Sequence, residues 1–255
     1  IFSCINWIGA QYAMDQQRFI QLGADPAHIS VTGNMKIDAD VSRADTLLAT
    51  RLKEAIKQRP SWAAGSIRKG KEEDAVIQTH LQLLQHIPDA LLILVPRHPE
   101  RTAKIIKKMK AKHLHYHLFS NVGTQIPPAM QILIIDSIGI LQSCYQAVDV
   151  AFVGGSIVKK GGQNILEPFL AGTPVIAGPH LHNFATISDL LVQEEALIRL
   201  TACPLHQQVQ QLCTQVQHLL QNPDQAKCLA DRGRNFIFRH KGSLNKTMQE
   251  VWKYL

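Results

Sequence analysis

The 255-residue chain lacks any hydrophobic run of the roughly 20 residues that a spanning helix needs, and its start at Ile1 carries no signal-peptide pattern. It also lacks an initiator methionine, which points to a fragment cut upstream. Its five cysteines, Cys4, Cys144, Cys203, Cys213 and Cys228, are odd in number and show no CxxC spacing. That argues against a disulfide framework and against a cysteine zinc site, and for reduced thiols in a cytosolic setting. Aromatic residues make up only 6% of the chain and do not alternate with basic ones, so single-strand nucleic-acid binding has little support. Long charge runs, internal repeats and low-complexity segments are absent.

What is present is 45% hydrophobic residues, enough to bury one large core or two small ones. There are 27 Lys and Arg against 20 Asp and Glu, a net charge of +7 with twelve histidines besides. This balance suits an anionic partner, whether nucleotide, acidic sugar, phosphorylated lipid or nucleic acid. Because the basic residues are scattered, most of them read as solvated surface.

In chain order, IFSCI (residues 1–5) reads as a strand, followed by a helix from about Gly9 to Leu22 and a strand over Ile29–Val31. Ser42 caps a predicted helix that runs to Arg59 and stops at Pro60. Further strands are predicted at Trp62–Ala64, Leu91–Val95, His115–Phe119, Ile132–Ile135, Val148–Val153, Pro174–Ile176 and Leu197–Leu200. Helical patterns separate most of them, and from Pro204 onward the pattern is helical only, with breaks near Pro223 and Gly242. Alternation of this kind predicts a parallel sheet with helices on both faces and ligands beyond the carboxyl ends of the strands.

The stretch Ala147–Pro179 concentrates the chemistry. The apolar run Val148–Val153 enters a tight turn at Gly154, Gly155 and Ser156, followed by Lys159, Lys160 and a second pair, Gly161 and Gly162. Asn164 then stands three residues before Glu167, with Pro168 in the first turn of a helix. Two readings stand: glycine-exposed N–H groups and a helix N-terminus hold an anion, or Asn164 and Glu167 form a capping box and only satisfy each other's backbone donors. Elsewhere, Pro96 and Arg97 follow the strand ending at Val95, and prolines on both sides stiffen the backbone. That guanidinium either holds a phosphate through two parallel hydrogen bonds or pairs with Glu100 or a helix end. Ile138, Gly139 and Ile140 follow the strand at Ile132–Ile135, where backbone groups read a base or a helix simply starts.

Three other patterns are weaker. GSIRKGK (Gly65–Lys71) satisfies the phosphate-loop spacing, but Glu72 stands where a hydroxyl must hold magnesium, and an ordinary strand-to-helix turn is preferred. His113, His115 and His117 share one face of a strand-like segment, read as a half-exposed edge strand in preference to a metal site. Ser66 and Ser156 are not GxSxG elbows, and no His and Asp follow them in hydrolase order.

Read as a unit, VGGSxVxxGGxNxLEPxxxGxPVxxGPHxxNF (Val153–Phe184) resembles the donor-binding half of the Kdo transferases, enzymes that add 3-deoxy-D-manno-octulosonic acid to lipid A. VTGNMKID (Val31–Asp38), WAAGS (Trp62–Ser66), VPRHPER (Val95–Arg101) and DSIGIL (Asp136–Leu141) fall in that family's order. Departures are Ile140 where Glu is usual, Lys160 where Arg is usual and Gln163 where His is usual. The resemblance implies an α/β fold of the GT-B type, a Rossmann-like parallel sheet with helices on both faces. Residues 1–38 would be the end of the N-terminal acceptor domain and the crossing, and residues 39–255 the C-terminal CMP-Kdo-binding domain with its C-terminal helices.

It further implies transfer of Kdo from CMP-Kdo to lipid IVA in lipopolysaccharide biosynthesis, at the cytoplasmic face of the bacterial inner membrane. No cofactor, metal or nucleic acid is implied. The CMP-binding residues would be Pro96, Arg97, Ile138, Gly139, Ile140, Asn164, Ile165, Leu166 and Glu167. Arg97 would meet the phosphate and Glu167 the ribose. The family's catalytic glutamate and membrane contact belong to the preceding domain, of which only the last strand and helix are here, so this chain is expected to hold no catalytic residue and to be inactive alone. Alternatives are a non-enzymatic nucleotide-binding or regulatory module and a P-loop phosphohydrolase.

Overall fold

A computed structural model describes residues 2–38, 42–121 and 126–254. The chain divides into two units, Ile1–Asp40 with Asn235–Leu255, and Val41–Arg234.

The first unit holds a 3-10 turn at Phe2–Cys4, then β1 (Ile8–Ala10), α1 (Ala13–Gln21) and β2 (Ile29–Val31). The strand expected over residues 1–5 is not formed; Ile1 lies outside the described residues and the strand is β1, which pairs in parallel with β2 through Ile8↔Ile29. The Trp7 indole N–H donates to Ser30 Oγ at 2.9 Å and anchors this register. Gly9 is consumed by β1, so the helix begins at Ala13 instead of Gly9. Ala10, Ala24 and Ile29 are buried here, with Ile8, Phe19 and Ile20 packed against them.

The second unit opens with α2 (Arg43–Ile56), whose N-cap Ser42 accepts the Asp45 N–H at 3.0 Å, a contact worth about 1 kcal/mol. Lys57, at φ 60°, ends the helix before Arg59. There follow β3 (Ser61–Ile67), α3 (Lys71–Leu83), β4 (Leu91–Pro96), α4 (Thr102–Ala111), β5 (Tyr116–Leu118), β6 (Ile132–Ile134), α5 (Leu141–Ala147), β7 (Val150–Val153), α6 (Leu166–Ala171), β8 (Val175–Ala177), α7 (Ala185–Gln193), β9 (Leu197–Arg199), α8 (Leu205–Gln221) and α9 (Pro223–His240). The seven strands form one parallel sheet in the order β5-β6-β4-β3-β7-β8-β9.

Side chains alternate across the sheet as a period of two requires. Trp62, Ala64, Leu92 and Leu94 face a core with Val76 and Ile77 of α3 and Leu212 and Val216 of α8. Ala63, Leu91, Ile93 and Val95 face another with Leu52 of α2 and Tyr145 of α5. Each fully buried aliphatic side chain contributes about 1.5–3 kcal/mol. The one imidazole in the first core is satisfied: His80 Nδ1 accepts from the Trp62 indole (3.2 Å) and Nε2–H donates to the Gln131 carbonyl (2.9 Å). Burial pushes its pKa down to about 3, which keeps the ring neutral.

From β3 the sheet extends through β4 and β6 to β5 on one side, and through β7 and β8 to β9 on the other. The crevice outside the carboxyl ends of β3 and β7 is therefore the topological switch point of the sheet. α9 crosses the division between the units, its residues from Asn235 onward counting with the first unit, and α10 (Ser243–Val251) belongs to the first unit. There Gly242 donates its N–H to the Asp38 carboxylate at 2.6 Å. Among the described residues no helix is long and apolar enough to cross a membrane.

Candidate functional site

At the switch point the turns after β3 and β7 touch. Gly154 N–H donates to the Gly65 carbonyl at 2.8 Å. A Cβ at Gly154 would lie 2.7 Å from the Ser66 carbonyl oxygen, so only glycine fits, and Gly155 adopts φ +70°. The N–H groups of this turn converge on an anion, and that anion is internal. Glu72, fully buried in the first turn of α3, accepts from Arg68 N–H (2.8 Å) and Gly155 N–H (2.7 Å) on Oε2, and from Ser156 N–H and Ile157 N–H (both 3.0 Å) on Oε1.

Burial pushes the Glu72 carboxyl above its ordinary range, and the four N–H donors act in the opposite direction. The expectation that the glycine turn itself holds a ligand anion is corrected by this contact. The same carboxylate takes the Arg68 N–H, one of the donors that a phosphate loop would offer at Gly65–Lys71.

The rest of the glycine stretch is braced from the turn after β8. Ser156 Oγ donates to the Val153 carbonyl (2.5 Å) and accepts from Gly178 N–H (2.8 Å). Asn183 donates from Nδ2 to the Lys160 carbonyl and from its backbone to the Gly161 carbonyl, both at 3.0 Å.

The residues expected to bind a nucleotide lie in neighbouring turns at the carboxyl edge of β4, β6 and β7. Pro96 is the buried last residue of β4, and Arg97 is exposed, with its backbone N–H on the Ile67 carbonyl at 3.0 Å. Among the described residues the Arg97 side chain makes no hydrogen bond or ion pair, and Glu100 pairs instead with His98 Nδ1 at 3.4 Å. Ile138 is 87% exposed, Gly139 sits at φ +89°, and Ile140 is the N-cap residue of α5.

Asn164 and Glu167 do not form a reciprocal capping box. Asn164 Oδ1 accepts from Leu166 N–H (3.2 Å) while its Nδ2 donates to Glu167 Oε1 (3.0 Å), and α6 begins at Leu166. Ile165 and Leu166 are fully buried, and the Leu166 N–H is taken by Asn164, so these two residues pack beneath the turn. Because α6 has six residues, its dipole is small, and side chains must carry most of any anion binding.

Glu167 Oε2 makes no hydrogen bond among the described residues. Burial pushes the Glu167 carboxyl up, whereas the Asn164 hydrogen bond and the Arg97 charge pull it down. Gln142 Nε2 donates to the Glu167 carbonyl at 3.1 Å and ties the first turn of α5 to α6.

A cavity of about 720 Å³ opens next to these turns, lined by residues that sequence reasoning did not group, among them Arg68, Lys69, Glu100, Arg101, Lys104 and Lys160. They come from three stretches far apart in the chain, those after β3, β4 and β7, with Lys104 in the first turn of α4. The sequence cues to it were separate: Arg68 and Lys69 in GSIRKGK, Glu100 and Arg101 in VPRHPER, and the family departure at Lys160. With its amide oxygen turned to Arg68, Gln163 accepts from Nη2 at 2.9 Å. His113, His115 and His117 are exposed beside or on the edge strand β5.

Residues 1–39 match a family model described as 3-deoxy-D-manno-octulosonic-acid transferase (kdotransferase). The whole chain aligns with the 3-deoxy-D-manno-octulosonic acid transferase of Haemophilus influenzae at 32% identity, covering 58% of that protein's length. The crystal structure of the C-terminal CMP-Kdo binding domain of WaaA from Acinetobacter baumannii superposes with a TM-score of 0.68 at 27% identity, over 76% of this chain and 98% of that one. Anabaena Alr3699/HepE, solved with UDP and glucose, shares the fold at a TM-score of 0.58 and 16% identity, over 98% of this chain and 62% of that one. The architecture is the GT-B type, a Rossmann-like parallel sheet with helices on both faces. Sequence and fold together place this chain among the relatives of the 3-deoxy-D-manno-octulosonic acid transferases, and it spans a little more than half the length of the curated relatives it matches.

Proposed function

We propose that this chain is the donor-binding part of a glycosyltransferase that moves Kdo from CMP-Kdo to lipid IVA in lipopolysaccharide biosynthesis, with CMP as leaving group. The observation that carries the reading is the set of three turns at the carboxyl edge of the sheet: Arg97, whose side chain makes no hydrogen bond or ion pair among the described residues yet whose charge acts on Glu167, the exposed Ile138–Gly139 turn, and Glu167, whose Oε2 makes no hydrogen bond among the described residues. Arg97 holds the phosphate and stabilises the charge that grows on it as the sugar leaves. Glu167 Oε2 accepts from the ribose hydroxyls, and Asn164 fixes the carboxylate for that task. The backbone of residues 138–140 meets the base, where the φ of Gly139 turns the chain towards it. Pro96, Ile165 and Leu166 shape the site through backbone and packing.

In this reading the base that deprotonates the acceptor hydroxyl comes from a preceding domain, which also meets the cytoplasmic face of the inner membrane. Residues 1–38 are the end of that domain and the crossing into the donor domain. A nucleotide panel tests the reading. Cytidine nucleotides should bind best without magnesium, and the isolated chain should not transfer Kdo while the intact protein should. Magnesium-dependent ATP or GTP binding would favour a phosphohydrolase, and an intact protein without transferase activity would favour a regulatory module.

A further inference from the structure

The basic cavity beside β3, β4 and β7 lies at the topological switch point, and none of the residues assigned above to the nucleotide lines it. Five cations face it: Arg68 and Lys69 after β3, Arg101 and Lys104 after β4, and Lys160 after β7. Arg101 is compensated by Glu73, with Nε–Oε1 at 2.9 Å, and Glu100 is the one acid in the lining. Three positive charges remain. Lys69, Lys104 and Lys160 make no side-chain hydrogen bond or ion pair among the described residues.

Glu72 fills the inner, backbone-lined end of the crevice, so an external anion meets these side chains and not the glycine turn. Apart from the His98 ring no aromatic side chain lines the cavity, which makes it a poor seat for a stacked base. A singly charged carboxylate would leave most of the positive charge unmatched. A phosphate dianion, with three oxygens for several ammonium groups, matches it better, and about 720 Å³ is room for a sugar as well.

We propose that this cavity is a second oxyanion site, separate from the Arg97–Glu167 turns, which binds a phosphomonoester carried on a sugar or present as free phosphate. Assigning a sugar-borne phosphate to the glycosyl acceptor rests on the transferase reading; the anion site itself does not. The test titrates the chain at low ionic strength with glucose 6-phosphate, inorganic phosphate and gluconate, and separately with CMP. The parent is compared with Lys104→Glu/Lys160→Glu, Lys69→Ala/Lys104→Ala and Arg97→Ala.

The double reversal should weaken glucose 6-phosphate about tenfold or more, the double alanine variant less, and high-affinity CMP binding should change less than about twofold in either. Arg97→Ala should do the reverse. Tighter binding of glucose 6-phosphate than of phosphate identifies a sugar-borne group, and equal binding identifies the free anion. Saturable binding of neither anion, gluconate binding as tightly as both, or equal sensitivity of glucose 6-phosphate to Arg97→Ala and the lysine reversals would overturn the proposal. If the parent binds glucose 6-phosphate through Lys104 and Lys160 but not CMP, the donor-site reading fails while this one stands.

Discussion

Glu72→Gln removes the charge that organises the two turns at the switch point while keeping the side chain's shape. In the parent each carboxylate oxygen accepts two backbone N–H groups, at 2.7–3.0 Å. An amide offers one acceptor and one donor, so one pair of buried N–H groups then faces an NH₂. Each buried donor left unsatisfied costs about 1–3 kcal/mol. The ionised parent carboxylate is itself held against desolvation, as the upward push on its pKa shows, and losing the charge gives part of that back. We expect a net loss of about 2–4 kcal/mol, a fall in Tm of about 4–16 °C for a unit of this size. Thermal unfolding monitored by circular dichroism at pH 7 measures it. A variant melting within about 1 °C of the parent would mean that the carboxylate does not organise the turns.

Glu73 gives a pH-dependent counterpart. Burial raises its pKa, but hydrogen bonds and charge from Arg101 and Lys108 outweigh this and hold it below its ordinary 4.5. Its stabilisation is therefore present above pH 4.5 and is lost as pH falls through the depressed value. In urea titrations the gap between parent and Glu73→Gln should be about 1–3 kcal/mol at pH 7 and close below pH 4.5; a gap independent of pH would refute this. Glu167→Gln should shift Tm by no more than about 4 °C yet cost about 1–2 kcal/mol of CMP binding, a loss that should largely vanish with 2′,3′-dideoxy-CMP. Unchanged binding of both ligands would make Glu167 a purely structural partner of Asn164.

The parallel sheet was legible because every strand of the second unit is an apolar run or fragment between turn residues, and buried parallel strands need no finer pattern. Residues 1–5 misled for the same reason: a short apolar run does not reveal its backbone, and Trp7 with Ser30 holds the strand further along, at Ile8–Ala10. The turns at Arg97, Ile138–Ile140 and Asn164–Glu167 were found through family motifs. Their packing was not, since the choice between a capping box and an Asn164–Glu167 pair depends on where α6 starts.

Glu72 was seen as a misfit in a phosphate-loop pattern. That it fills the Gly155–Ile157 turn depends on two segments more than eighty residues apart meeting at the switch point. The basic cavity was hidden likewise, since its cations come from three separate stretches of the chain.

The central claim is that Arg97 holds the phosphate of a bound cytidylate, and calorimetric titration of parent and Arg97→Ala with CMP and with cytidine tests it most directly. A hydrogen-bonded charge of this kind is worth about 1.5–3 kcal/mol, so CMP should bind the variant about 10- to 150-fold more weakly. Cytidine, lacking the phosphate, should bind both proteins within about twofold of each other. Equal losses for CMP and cytidine, or no loss for either, would contradict the account.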